Sequence, residues 1–270
     1  PSTPRVWRLD AVAAEVGGIL LREVELGAMV VAGQCLARVV DAVGAKASVL
    51  FGAGTYDTAE SVHLAQAAQE IGADGIMLVS PYYSRPGQQG LLAHFSEISK
   101  AVELPILIYN IQPRTAINLE TPTLRLLAEQ NDNIVAVKEA SGNMAQIMEV
   151  CASMPNEFLV FSGDDALTLP ILSVGGHGVV SVAAHVVGRE IKDMIESFEA
   201  DPARSRRIHQ RLLPVFKALF AFPSPVPVKY AMSLSGFDCE RVRLPLVGLD
   251  EGERSAVRSA LGSVISVGAA

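Results

Sequence analysis

Residues 105–138 read PILIYNIQPRTAINLETPTLRLLAEQNDNIVAVK. The stretch opens and closes on short apolar runs, PILIY at 105–109 and IVAV at 134–137, with a helix-like segment from Thr121 to Glu129 between them. In both runs the apolar residues are consecutive, as a strand covered on both faces requires. Two such strands joined through a helix form a βαβ unit, which implies parallel pairing.

The same unit repeats outward in both directions. AMVVA (28–32), SVLF (48–51) and GIMLV (75–79) come before it, and FLVF (158–161) and GVVSV (178–182) come after it. Run starts at 28, 48, 75, 105, 134, 158 and 178 are spaced by 20, 27, 30, 29, 24 and 20 residues, the cadence of successive βαβ units. Thr58–Ile71, Gly90–Val102 and Met144–Ala152 read as further helices, and Asp57, Ser141 or Asn143, and Asp164 or Asp165 suit their N-caps. After Val182 no strand pattern recurs. Residues 188–199, 203–221 and 227–235 read as helices, followed by a Pro-containing turn at Arg243–Pro245 and a last helix from Glu251. The expected fold is an α/β (β/α)8 TIM barrel over residues 1–187, with a C-terminal helical segment, 188–270, packed on it. An open doubly wound sheet is the alternative.

Composition narrows the function classes. With 50% hydrophobic and 19% charged residues, the chain is globular, which excludes disordered, collagen-like and coiled-coil readings. A net charge of −7 disfavours nucleic-acid or anionic-membrane partners, which select clustered cations. No apolar run reaches the roughly 18–20 residues of a membrane helix, and Lys217 interrupts the nearest one, Leu212–Phe222. Cys35, Cys151 and Cys239 are scattered, so reduced thiols in a cytoplasmic protein are expected. The chain shows no signal-peptide pattern and starts at Pro1, so it reads as processed, trimmed or incomplete.

A parallel barrel carries its chemistry at the C-terminal ends of its strands. Two reactive side chains end strands here: Tyr109 closes PILIY and Lys138 closes IVAV. An amine emerging from an apolar strand is poorly solvated, which favours its neutral form. A neutral amine attacks a ketone to give an imine, and a nearby phenol can exchange the protons that step requires. The plainer reading has Lys138 in solvent and Tyr109 as half-buried packing, and position alone leaves both open.

Other signals are weaker. Gly52-Ala53-Gly54 lacks the third glycine of a dinucleotide fingerprint and reads as a tight turn. His63, His94, His177, His185 and His209 show no zinc-ligand spacing near a carboxylate, so no metal is expected. Ser162-Gly163-Asp164-Asp165 suits either an anion at a helix start or an Asp-capped helix. Arg204–Arg207 reads as a solvated helix face.

Longer motifs add a resemblance. PYYSRP (81–86) with Gln89, Gly90, His94 and Phe95, IYNIQPRT (108–115), IVAVKEASGN (134–143), SGDD (162–165), GGHGVVSV (175–182), PSPVPVKY (223–230) and RLP (243–245) together resemble the dihydrodipicolinate synthase family. That family is related to N-acetylneuraminate lyase and other pyruvate-dependent class I aldolases. The likeness runs over residues 45–265 and its motifs are jointly specific. It implies condensation of pyruvate with L-aspartate 4-semialdehyde to 4-hydroxy-tetrahydrodipicolinate, within lysine and diaminopimelate biosynthesis. By the same resemblance Lys138 is the Schiff-base lysine, Tyr109 the adjacent proton shuttle, and Tyr83 a relay tyrosine lent across a dimer interface. Arg114 would bind the aldehyde substrate's carboxylate, and Gly163 and Val180 would line the pyruvate site. No cofactor beyond the covalently bound pyruvate is implied. The assembly would be a homotetramer built as a dimer of dimers.

The sequence departs from the family in three places. Gln112 precedes Pro113 where a hydrophobic residue is usual, with the register of Arg114 kept. The Thr-Thr-Gly-Glu segment that follows strand 2 has no counterpart, since Ala28–Gly33 runs directly into Gln34–Val40. Strand 1 would fall before Pro1. The missing Thr-Thr-Gly-Glu segment motivates one alternative, a catalytically impaired relative; the wider family supplies another, an aldolase for sugar-derived 2-keto acids. Tyr56, standing where lysine-sensitive members often carry Asn, implies weak or absent feedback by lysine.

Overall fold

The computed structural model describes residues 48–262 and residue 264. The run at 28–32, the junction at 33–40 and Cys35 lie outside the described residues. Every apolar run from Ser48 onward becomes a strand: β1 (Leu50–Gly52), β2 (Gly75–Val79), β3 (Ile106–Asn110), β4 (Ile134–Glu139), β5 (Leu159–Ser162) and β6 (Gly178–Val179). Each pairs in parallel with its neighbour in sequence, giving the order β1-β2-β3-β4-β5-β6.

Between the strands lie α1 (Thr58–Glu70), α2 (Gln88–Lys100), α3 (Gln112–Thr115), α4 (Thr121–Gln130), α5 (Met144–Ser153) and α6 (Thr168–Ser173). The caps read from the sequence are in place. Asp57 accepts from the Glu60 amide at 2.8 Å, and Asn143 accepts from the Gln146 amide at 3.2 Å. Each cap satisfies an amide that has no partner within its helix.

Two apolar layers decide the architecture. Phe51, Ile76, Leu78, Ile106, Ile108, Val137 and Val160 point to one face and pack against Leu91, Phe95, Leu124, Leu127, Ile147 and Val150 of the helices. Leu107, Ala136 and Phe161 point to the other face and gather with Leu50, Met77, Val135, Leu159 and Val180, all strand residues or their direct continuation. A doubly wound sheet would carry helices on both faces and reverse its strand order at a switch point. Among the described residues the order never reverses and the helices between the strands keep to the outer face, so the sheet is a half-barrel wall and the open-sheet alternative is excluded. Each fully buried Ile or Leu contributes roughly 1.5–3 kcal/mol, so the outer layer holds the wall to its helices.

The C-terminal part is helical: α7 (Ala184–Glu196), α8 (Pro202–Leu219), α9 (Val226–Ser233) and α10 (Glu251–Gly262). Ile208, Leu212, Val215, Phe216 and Leu219 recur at helical spacing along α8 and form one core with Ile191, Met194, Tyr230, Val257 and Leu261. The first of these helices starts four residues earlier than its pattern suggests. The Ser181 hydroxyl accepts from the Ala184 amide at 2.8 Å, and the backbone then kinks at Val187. Among the described residues no helix is long and apolar enough to cross a membrane.

Candidate active site

β3 and β4 run side by side in a register that sets Tyr109 opposite Lys138 and Asn110 opposite Glu139. Because neighbouring strand residues point to opposite faces, Tyr109 and Lys138 face into the half-barrel, whereas Asn110 and Glu139 face outward beneath the helices. Lys138 is 8% exposed, and its Nζ lies over the Tyr109 ring, 4.1 Å from the centroid. Burial draws the Lys138 amine down to about 8; the Asp165 carboxylate opposes this and the Arg114 guanidinium reinforces it. Burial raises the Tyr109 phenol above its ordinary value, and Arg114 counters that rise. Solvent exclusion is thus the main cause of both shifts. The solvent-facing reading of Lys138 is thereby excluded.

Gly163 follows β5 and abuts the lysine. A Cβ there would meet the Ala140 Cβ at 2.7 Å, Lys138 Cε at 3.0 Å and Lys138 Cγ at 3.1 Å. Its amide donates to the Glu139 carbonyl at 2.6 Å, so the chain is fixed against the end of β4. Val180 continues from β6, donates its amide to the Ser162 carbonyl at 2.9 Å, and packs with the inward-facing cluster.

Arg114 rides on α3, a four-residue helix that directly follows β3. The Thr115 hydroxyl bonds the Ile111 and Ile117 carbonyls at 3.0 Å each, and Ala116 takes a left-handed conformation that turns the chain back. The guanidinium is exposed, yet its charge reaches both Tyr109 and Lys138. Tyr83 is placed differently. It is 93% exposed at φ 70 on the loop after β2, where Tyr82 stacks edge-on with Tyr56 at 5.5 Å. The structure therefore gathers Lys138, Tyr109, Gly163 and Val180, with Arg114 at the rim and Tyr83 projecting to solvent.

Sequence reasoning gave no role to the buried Asn110 and Glu139, and offered Asp165 only as an N-cap, a role that falls to Asp164. Asn110 and Glu139 are 0% and 1% exposed, and the Asn110 Nδ2 donates to Glu139 Oε1 at 2.9 Å. Asp165 is buried, accepts from the Ser181 hydroxyl, and takes the Val182 and Ala183 amides at 3.2 and 3.0 Å. Burial raises both carboxyls, and their hydrogen bonds work against that rise. One signal could have found the Asn110–Glu139 pair: a polar residue directly follows each reactive residue, where strand alternation sends it into the outer core.

The weaker motifs resolve as structural. Asp164 accepts from the Ala166 amide at 2.8 Å and caps a short 3-10 turn, Asp165–Leu167, so the SGDD segment is an Asp-capped start. A Cβ on Gly54 would meet the Val79 amide at 2.4 Å, so that glycine serves backbone approach. His177 Nδ1 accepts from the Val160 amide at 3.1 Å, and His94 Nδ1 pairs with the Thr58 hydroxyl at 2.9 Å.

A model of the dihydrodipicolinate synthetase family matches residues 32–264. The 4-hydroxy-tetrahydrodipicolinate synthase of Heliobacterium modesticaldum is 50% identical over 227 residues, covering 83% of this chain and 75% of the relative. That of Desulforamulus reducens is 44% identical over 232 residues, covering 86% and 78%. Among solved structures, the dihydrodipicolinate synthase of Cyanidioschyzon merolae with lysine bound superposes with a TM-score of 0.84 at 42% identity, covering 86% of this chain and 79% of that one.

Proposed function

The chain belongs to the dihydrodipicolinate synthetase family, and on that premise we propose that it condenses pyruvate with L-aspartate 4-semialdehyde to 4-hydroxy-tetrahydrodipicolinate. The observation that carries this reading is Lys138, an amine drawn down to about 8 by burial and seated over a tyrosine ring. In its neutral form the amine attacks the ketone carbon of pyruvate, and loss of water leaves an imine. The imine withdraws electrons, so a methyl proton is lost and the imine becomes an enamine. The enamine carbon then adds to the aldehyde. The substrate amine displaces Lys138 by transimination, which closes the ring and regenerates the enzyme.

The reading gives Tyr109 the proton transfers of imine formation, a role supported by the closeness of its ring to the Lys138 Nζ, 4.1 Å from the centroid. Arg114 supplies a cation at the rim for the carboxylate of the aldehyde substrate. Gly163 leaves room for the Lys138 stem, and in this reading its backbone lines the bound keto acid. No metal or organic cofactor takes part in this scheme. The reading also assigns Tyr83 to a neighbouring protomer's site within a homotetramer, a role supported by its 93% exposure.

Borohydride trapping tests the reaction. Incubation with pyruvate followed by reduction should add the lactate-like fragment to the Lys138 peptide, read by mass spectrometry. An unmodified Lys138 peptide, or label on another lysine, would sink the proposal.

A further inference from the structure

Behind the reactive pair lies a buried polar pair. Asn110 is the residue after Tyr109 and Glu139 the residue after Lys138, and they face each other in the same register on the outer side of the wall. Asn110 Nδ2 donates to Glu139 Oε1 at 2.9 Å and to Asn118 Oδ1 at 3.0 Å, while its Oδ1 accepts from the Leu119 amide at 3.0 Å. Glu139 Oε2 accepts from the Ser141 hydroxyl at 2.8 Å. Gln146 on α5 continues the chain of bonds, accepting from Asn118 Nδ2 at 2.7 Å and donating to the Leu119 carbonyl at 3.0 Å.

These bonds converge on the two ends of one loop. Residues 111–119 leave β3 at Asn110, form α3 with Arg114, turn at Ala116 and return so that Asn118 and Leu119 dock on the Asn110 side chain. The loop that carries Arg114 is therefore closed onto its own strand end, and Glu139 ties that closure to the strand bearing Lys138. Burial makes each of these bonds costly to leave unmade.

We infer that Asn110 and Glu139 are positioning residues, whose buried hydrogen bonds hold the Arg114 loop at a fixed place relative to Lys138 and so govern recognition of the second, carboxylate-bearing aldehyde substrate. The inference rests on the proposed roles of Lys138 and Arg114. The pair works through hydrogen-bond geometry. Glu139→Gln keeps an oxygen to accept from Asn110 Nδ2, and its amide nitrogen can donate to the Ser141 hydroxyl once that hydroxyl turns to accept, so it should preserve the geometry.

The test uses the intact enzyme and separates the two substrates. Glu139→Ala and Asn118→Ala should still trap pyruvate on Lys138 at the parental rate, which also reports folding. Their KM for aspartate semialdehyde should rise about ten-fold, the effect of losing one buried hydrogen bond's worth of positioning. The KM for pyruvate should stay unchanged, and Glu139→Gln should restore parental values for both. A merely structural role would lower the folded fraction without splitting the two KM values. Parental aldehyde KM in both alanine variants, or parallel loss of trapping and aldehyde recognition in the folded proteins, would overturn the inference. Failure of the parent itself to trap pyruvate is a separate outcome and would instead overturn the role of Lys138. If Glu139→Ala does not fold, Asn118→Ala, at a half-buried site, decides the matter alone.

Discussion

Replacing Gly163 with Ala places one methyl group against Lys138. The added Cβ would lie 2.7 Å from the Ala140 Cβ and 3.0 Å from Lys138 Cε, closer than such carbons pack. The glycine cannot readily retreat, because its amide is bonded to the Glu139 carbonyl at 2.6 Å. Ala140 is the less yielding neighbour, having no rotatable side chain, so the Lys138 stem takes up most of the displacement. Overpacking of this kind costs about 1–3 kcal/mol of stability. A misplacement of about 1 Å at a reacting atom costs up to about 100-fold in rate. We therefore expect Gly163→Ala to fold, lose about 1–3 kcal/mol in urea unfolding, and form the pyruvate imine roughly 10- to 100-fold more slowly. Gly248→Ala is the control, since nothing lies within 4 Å of a Cβ there. A Gly163→Ala enzyme that forms the imine at the parental rate would refute the claim that Gly163 makes room for Lys138.

Three further outcomes follow from the electrostatics. Arg114 lowers the Lys138 amine and the Tyr109 phenol alike, so Arg114→Ala should move the midpoint of the pH–trapping curve, near 8 in the parent, to higher pH; an unmoved midpoint would count against the coupling. Lys138 is held near 8 in the folded chain against an ordinary 10.5, so stability rises with pH between those values, and Lys138→Met should add about 2–3 kcal/mol at neutral pH while abolishing trapping. His94 is lowered from 6.5 to about 4 by burial, with Asp57 opposing, so the unfolded chain binds the proton first and stability falls as pH drops from about 6.5 to about 4. His94→Gln should remove up to about 3 kcal/mol of that loss, seen as a flatter plot of urea midpoint against pH.

The strands were legible because a buried parallel strand must be apolar on consecutive residues, and each run from Ser48 onward obeys this. Helix starts were legible where a side chain caps them, as at Asp57 and Asn143. Lys138 and Tyr109 could be found because each ends such a run. Other features rest on interactions that leave no local pattern. The helix carrying Arg114 has four residues, too few for a periodicity. GVVSV reads as a five-residue strand, yet only Gly178 and Val179 pair as one. The partner strand ends at Ser162, and Asp165 takes the Val182 amide, the next one after Val180 that would have paired with that strand. Asn110 and Glu139 are 29 residues apart, so their bond belongs to the register of two strands and to no motif.

The alternation along β3 and β4 has a practical consequence for anyone who wishes to redirect this catalyst. Tyr109 and Lys138 lie one peptide bond from Asn110 and Glu139, but they occupy opposite sides of the same wall. A mutant library restricted to inward positions would vary the chemistry on an unchanged chassis. A library at the outward positions would vary alignment while leaving every reactive group in place. Kept apart, the two libraries would separate what the site can react with from how accurately it aims.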